Sequence, residues 1–179
     1  MEHNRIKLRP WKNEDVDALF FYLKEPEIAL NAGWPVHQSV KDSTFLLKKV
    51  LLNWGFYAIV DKETDELIGS ISILVGESSN FQIGADEGEL CFWLGKAYWG
   101  KQLMAEAIEL MLEYGFYDLN LNKIWCGCFA DNSRCEHLQK KCGFKFTYEI
   151  PSVKTLMGEE KREIVMSMDF ETYEKLYWE

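Results

Sequence analysis

The chain has 179 residues, 47% of them hydrophobic and 15% aromatic, and a formal net charge of −9. That composition excludes a disordered chain and gives enough apolar side chain for one well-packed domain, expected over residues 1–179. The acidic balance disfavours nucleic acid and anionic lipid as partners; it suits cationic, amine-bearing ones, or simply keeps the protein soluble.

No run of about 18 apolar residues occurs, so no membrane span is expected. The first residues, MEHNRIKLRPWKNEDVD, are charged and lack an apolar signal region, which makes a cytoplasmic location the expectation. Five cysteines, an odd number, fit a reducing compartment better than a disulfide framework. Cys126 and Cys128 alternate on one strand, with Cys135 and Cys142 nearby in sequence. Alternate strand residues lie roughly 7 Å apart, too far to share one zinc without distortion. Buried reduced thiols are expected there, and no metal.

In chain order, Arg5–Trp11 alternates as a half-buried strand does, and Pro10 ends it or places it on an edge. Asn13 is a candidate N-cap for a helix with Val16, Leu19, Phe20 and Leu23 on one face, stopped near Lys24 by Pro26. Residues 29–38 (ALNAGWPVHQ) read as irregular, with Trp34 either plugging the core or lining a pocket. Ser39 caps a second helix with Asp42 at its third position. Phe56–Val60 and Leu67–Val75 are strands joined by the charged hairpin 61–66, with a bulge expected near Gly69 and Ser70. Residues 77–88 form a polar, acidic loop.

The stretch from Glu89 to Ala107, ELCFWLGKAYWGKQLMAEA, organises the rest. Glu89–Leu94 is a short aromatic strand. Gly95 and Gly100 bracket a turn, and from Lys101 to about Asp118 the pattern is helical. A strand feeding a helix through a glycine-flanked loop aims backbone N–H groups and a helix dipole at one spot, which suits phosphate. Lys123–Ala130 is the next strand. Asn132 caps a helix ending near Cys142 and Gly143. Phe144–Ile150 is a strand, 152–161 a loop, Glu163–Phe170 a last strand and Glu171–Trp178 a terminal helical turn or two. Strand–helix–strand units amid hairpins predict an α/β (α+β) fold with a mixed, mostly antiparallel sheet of six to seven strands and helices on both faces.

Two motifs then resemble a known family. Tyr98–Trp99–Gly100–Lys101–Gln102–Leu103–Met104–Ala105–Glu106–Ala107 is similar to Y-W-G-K-G-x-[AM]-T-E-A. Asn132-x-x-Cys135-x-x-Leu138-x-x-Lys141-x-Gly143–Phe144 is similar to N-x-x-S-x-x-[VL]-x-x-K-x-G-F. Together with the element order, the whole chain resembles a GNAT-fold N-acetyltransferase, of the RimJ/RimL-type subgroup that acetylates ribosomal-protein N-termini.

The resemblance implies acetyl-CoA as acetyl donor and direct attack by a primary amine, on a protein N-terminus or a small molecule, in a ternary complex. Gly100, Lys101, Gln102, Leu103, Met104 and Ala105 would take the pyrophosphate. The backbone of Phe92, Trp93 and Leu94 would take the pantetheine arm and polarise the thioester, and Asn132 would bond a pantetheine amide. The first loop glycine of the family is replaced by Gln102, which matters only if that residue needs a positive φ.

Glu89, on the strand that would bind the thioester, is the candidate base, since burial raises a carboxyl's pKa. Cys135, where the subgroup has serine, is the candidate acid. Trp34, His37 and the acidic loop 77–87 are placed at the acceptor rim, and the state is expected to be monomer or homodimer. The alternative is a weak or inactive acyl-CoA-binding module on the same fold.

Overall fold

The computed structural model describes residues 1–178. A seven-stranded sheet has the order β1-β2-β3-β4-β5-β7-β6, where β1 is Ile6–Pro10, β2 Phe56–Asp61, β3 Leu67–Val75, β4 Glu87–Leu94, β5 Lys123–Phe129, β6 Lys145–Lys154 and β7 Glu160–Asp169. Helices flank it: α1 (Val16–Leu23), α2 (Pro26–Asn31), α3 (Val40–Leu46), α4 (Leu103–Glu113), α5 (Ser133–Lys141) and α6 (Phe170–Tyr177). β4 and β5 pair in parallel, while β1–β2, β2–β3, β5–β7 and β6–β7 are antiparallel. The mixed, mostly antiparallel sheet expected from the sequence is therefore present.

The chain divides into two compact units, Met1–Ser72 with Phe92–Ala107, and Ile73–Cys91 with the chain from Ile108 onward. In the first unit, Trp11, Leu19, Tyr22, Leu23, Leu47 and Trp93 build the core. The Trp93 ring lies 5.6 Å from Tyr22 and 6.4 Å from Trp11 between centroids. In the second, the apolar stripe of α4 beyond Ala107 (Ile108, Met111, Leu112) is buried together with Ile124, Cys126, Val165, Met166 and Met168. Alternation along β5 sends Ile124, Cys126 and Cys128 to the buried face, so the two thiols are core residues as expected.

Several local expectations need correction. Residues 29–38 are not wholly irregular: Pro26 stops α1 and then opens α2 at its first position, where its missing N–H costs nothing. Asn13 is not the cap of α1; residues 13–15 form a 3₁₀ turn in which the Asp15 carboxylate accepts the Lys12 N–H at 2.8 Å, and α1 begins at Val16. The loop expected at 152–161 is shorter, because β6 runs on to Lys154 and β7 starts at Glu160. The register shifts between Ile150 and Val153, around Pro151, which an edge strand tolerates. The helix expected from Lys101, α4, begins at Leu103 and passes after Glu113 into a π turn, Tyr114–Asp118.

Candidate functional site

In the first unit, β4 leaves the sheet through Gly95, a 3₁₀ turn at Lys96–Tyr98, and the residues Trp99–Gln102. Gly100 has φ +74° and Gln102 has φ +65°. The positive φ that would matter at Gln102 is therefore present, and a residue with a Cβ carries it. Its side chain is exposed, and its carbonyl accepts the Glu106 N–H at 3.2 Å as the first bond of α4. The N–H groups of the first helical turn, Leu103 to Ala105, have no i−4 carbonyl in helix geometry and point past this loop. At Gly100 an added Cβ would meet nothing within 4 Å, so space is open beside the loop. These are the requirements for an anion cradle.

The one acid in that first turn does not spoil it. Glu106 is buried, and burial by itself pushes its carboxyl up. Arg5 overrides this by donating from its backbone at 3.2 Å and from Nε at 2.6 Å, with His3 Nδ1 at 3.0 Å, so the carboxyl is held below the usual range. Lys101 is exposed, with its ammonium 5.4 Å from the Tyr98 ring centroid.

The edge of β4 is also defined. Its ladder with β5 runs from Glu87↔Lys123 to Leu90↔Cys126 and stops there. Trp93 turns its carbonyl towards β3, where a Cβ on Gly69 would sit 2.5 Å from it. By alternation, Phe92 and Leu94 present their backbone groups to the other edge. The Leu94 carbonyl is already taken by the Trp99 indole N–H at 2.7 Å. So the Phe92 backbone and the Leu94 N–H fit an added ligand, and the Leu94 carbonyl does not.

Trp34 is half-buried against the core cluster of the first unit. His37 is buried: its Nδ1 lies 2.7 Å from Ser43 Oγ, and its backbone N–H reaches Leu23. Burial pushes its imidazole pKa down, opposed by the charge of Asp42. The ring thus ties the segment before α3 to that helix, inside the unit and not on an open rim.

In the second unit, Glu89 is buried and accepts from Ser79 Oγ (2.8 Å), Asn80 N (2.6 Å), Asn80 Nδ2 (3.1 Å) and Cys91 Sγ (3.3 Å). This carboxylate holds the loop after β3 in place. A second acid of this unit, Glu163 on β7, was not singled out in the sequence. Burial first, then the charge of Glu89, raise its carboxyl to about 7. It lies over Gly127 of β5, where an added Cβ would clash with its Oε1. Burial and the charges of Glu163 and Glu89 also push the Tyr148 phenol up. The available sequence signal was one acid at the head of the apolar run EIVMSM; the glycine opposite it depends on a register that sequence alone does not give.

Asn132 caps α5, its Oδ1 accepting the Cys135 N–H at 3.1 Å, which leaves the side-chain NH₂ as its other hydrogen-bonding group. Cys135 is half-buried and accepts from Gln139 Nε2 at 3.4 Å. Among the described residues no group of three or more His, Cys, Asp or Glu side chains is placed to hold a metal ion, and no helix is long and apolar enough to cross a membrane.

A family model described as Acetyltransferase (GNAT) domain matches residues 5–145. The chain belongs to the GNAT acetyltransferase family. A curated relative from Bacillus licheniformis, named an uncharacterized N-acetyltransferase p20, is 32% identical over 149 residues, covering 79% of each chain. Among solved structures, a GNAT-family acetyltransferase from Bacillus anthracis superposes with TM-score 0.82 at 18% identity, covering 95% of this chain and 98% of that one. A Vibrio cholerae spermidine N-acetyltransferase, in complex with CoA and spermine, gives TM-score 0.76 at 19% identity over 94% and 98%. A second Vibrio cholerae protein, provisionally assigned as a ribosomal-protein-serine acetyltransferase, gives 0.76 at 20% over 94% and 95%. At those identities the structural likeness shows the GNAT fold.

Proposed function

We propose that the chain is an acetyl-CoA-dependent N-acetyltransferase domain that acts in the cytoplasm on a primary amine, by direct attack on the thioester. The observation that carries this is the Gly100–Gln102 loop: two left-handed residues opening directly into the N-terminus of α4. That arrangement fits the pyrophosphate of CoA, which supplies the acetyl thioester. Gly100 to Ala105 hold the phosphates through backbone N–H groups, with Lys101 adding charge. Phe92 and Leu94 offer N–H groups from an unladdered strand edge, suited to pantetheine amides and to the oxyanion of the tetrahedral intermediate. The Asn132 side-chain NH₂ serves the pantetheine arm.

The amine must lose a proton to attack, and Glu163, titrating at about 7, accepts it. Glu89 acts through Glu163, adding to the effect of burial in raising that carboxyl. The leaving thiolate takes a proton from Cys135. Trp34 borders the acceptor, while the buried His37 supports the same segment. A net charge of −9 favours a cationic acceptor, and the two motifs favour a protein N-terminus of the RimJ/RimL kind over other amines.

Thermal melting with acetyl-CoA tests the donor site. At a hundredfold excess over Kd, about 2.7 kcal/mol of added stability is expected. An unchanged melting temperature at millimolar acetyl-CoA would remove the reading.

A further inference from the structure

We propose that Gly127 is a positioning residue: its missing side chain leaves a seat on β5 in which the Glu163 carboxyl lies beside Phe81. Gly127 pairs with Val165 in an antiparallel ladder without register shifts, and its φ is outside the left-handed region. The backbone there does not require glycine, and glycine weakens a strand interior. What requires it is the space above the strand. A Cβ on Gly127 would clash with Glu163 Oε1 and come within 2.8 Å of Phe81 Cζ.

Neighbouring groups hold the seat in place. The fully buried Gln139 of α5 donates from Nε2 to the Gly127 carbonyl at 3.1 Å, tying this point of β5 to the helix. Phe81 is 8% exposed, and its N–H donates to Ser79 Oγ at 2.9 Å. Ser79 Oγ and the Asn80 N–H in turn donate to the Glu89 carboxylate. Glu89 thus sets the turn that carries Phe81 over Gly127.

The titratable groups within electrostatic reach of Glu163 are Glu89 of β4, Cys128 of β5 and Tyr148 of β6. From α5 and the turn after β3, the seat meets the neutral Gln139 and Phe81. The cations beside Glu163 in sequence are engaged elsewhere. Lys161 pairs with Asp131 at 2.9 Å and covers the Phe129 ring, and Arg162 pairs with Glu149 at 3.1 Å. Burial against Gly127 and Phe81, with the Glu89 charge second, then raises the carboxyl to about 7. The role rests on the reading that Glu163 takes the proton of the attacking amine. In Gly127→Ala the new methyl fills the seat, and the carboxyl must swing into water.

The test follows the Glu163 carboxyl directly by carbon-13 NMR, its signal assigned by loss in Glu163→Gln. In wild type the midpoint is expected near 7. In Gly127→Ala it should fall by about one pH unit or more, towards the ordinary value of 4.5. The acid limb of kcat/KM should move with it, while KM for acetyl-CoA stays unchanged. Phe81→Ala uncovers the same carboxyl and leaves Gly127 intact, so it should shift the midpoint in the same direction even if the first variant folds poorly. A wild-type midpoint at the ordinary value, or one that neither variant moves, would overturn the proposal. A midpoint that falls while the activity limb stays in place would remove Glu163 from the reaction proposed above and leave the seat standing.

Discussion

Gln102 adopts a backbone conformation that a side chain disfavours, with its carbonyl held by the first bond of α4. A left-handed residue with a Cβ costs roughly 1–2 kcal/mol, and a β-branched one more. Gln102→Gly should therefore raise stability by up to about 1 kcal/mol, less the extra chain entropy of glycine, without weakening acetyl-CoA binding. Gln102→Val should lower both. Urea unfolding and titration with acetyl-CoA measure the two effects, and a neutral Gln102→Val would show that the left-handed geometry is not required. Glu163 makes the second residue-scale prediction. With its carboxyl at about 7, kcat/KM should rise with pH through a limb near 7. Glu163→Gln should abolish that limb and cut the rate by about 10²–10⁴; a variant that keeps the limb would assign the proton to another group.

At the scale of elements, α4 is held by more than its apolar stripe. Arg5, beside β1, and His3 converge on Glu106 in the first turn of the helix, one turn from the phosphate loop. Glu106→Ala should cost about 1–3 kcal/mol in chemical unfolding, since it strips the Arg5 and His3 donors of their buried acceptor. It should also loosen acetyl-CoA more than a surface substitution such as Glu113→Ala does. The second element-scale prediction concerns His37 and α3. The native imidazole is pushed below its unfolded value of about 6.5, so the unfolded chain binds the extra proton first. Its contribution to stability is present above about pH 6.5 and is lost as pH falls below that towards the lower native pKa. His37→Gln should flatten that part of the stability profile.

Much at this scale was legible from spacing alone. The α4 stripe, the Ser39–Asp42 start of α3 and the Asn132 cap follow from local periodicity and capping chemistry, and all three are in the structure. The α2 helix was hidden because the same proline that ends one helix starts the next. The length of the β6–β7 hairpin was hidden because Pro151 reads as a break, and only pairing with a neighbour shows that an edge strand absorbs it.

For the whole molecule, the sheet order and the two motifs support one activity, whereas the partners of each acid emerge only when strands are set in register. Glu89, the sequence candidate for the base, is engaged by Ser79 and Asn80; the carboxyl raised to about 7 belongs to Glu163, over Gly127. The acidic surface should act on encounter: KM for a polycationic amine should rise with ionic strength, as screening shortens the reach of a charge of −9, while KM for a neutral acceptor should not. The central claim, acetyl transfer from acetyl-CoA to an amine, is tested most directly by release of free CoA thiol against a panel of N-terminal peptides, polyamines and other small amines. The account predicts turnover with at least one cationic acceptor, matched by acetylated product. Tight acetyl-CoA binding with no turnover on any amine would contradict it and leave an acyl-CoA-binding module in its place.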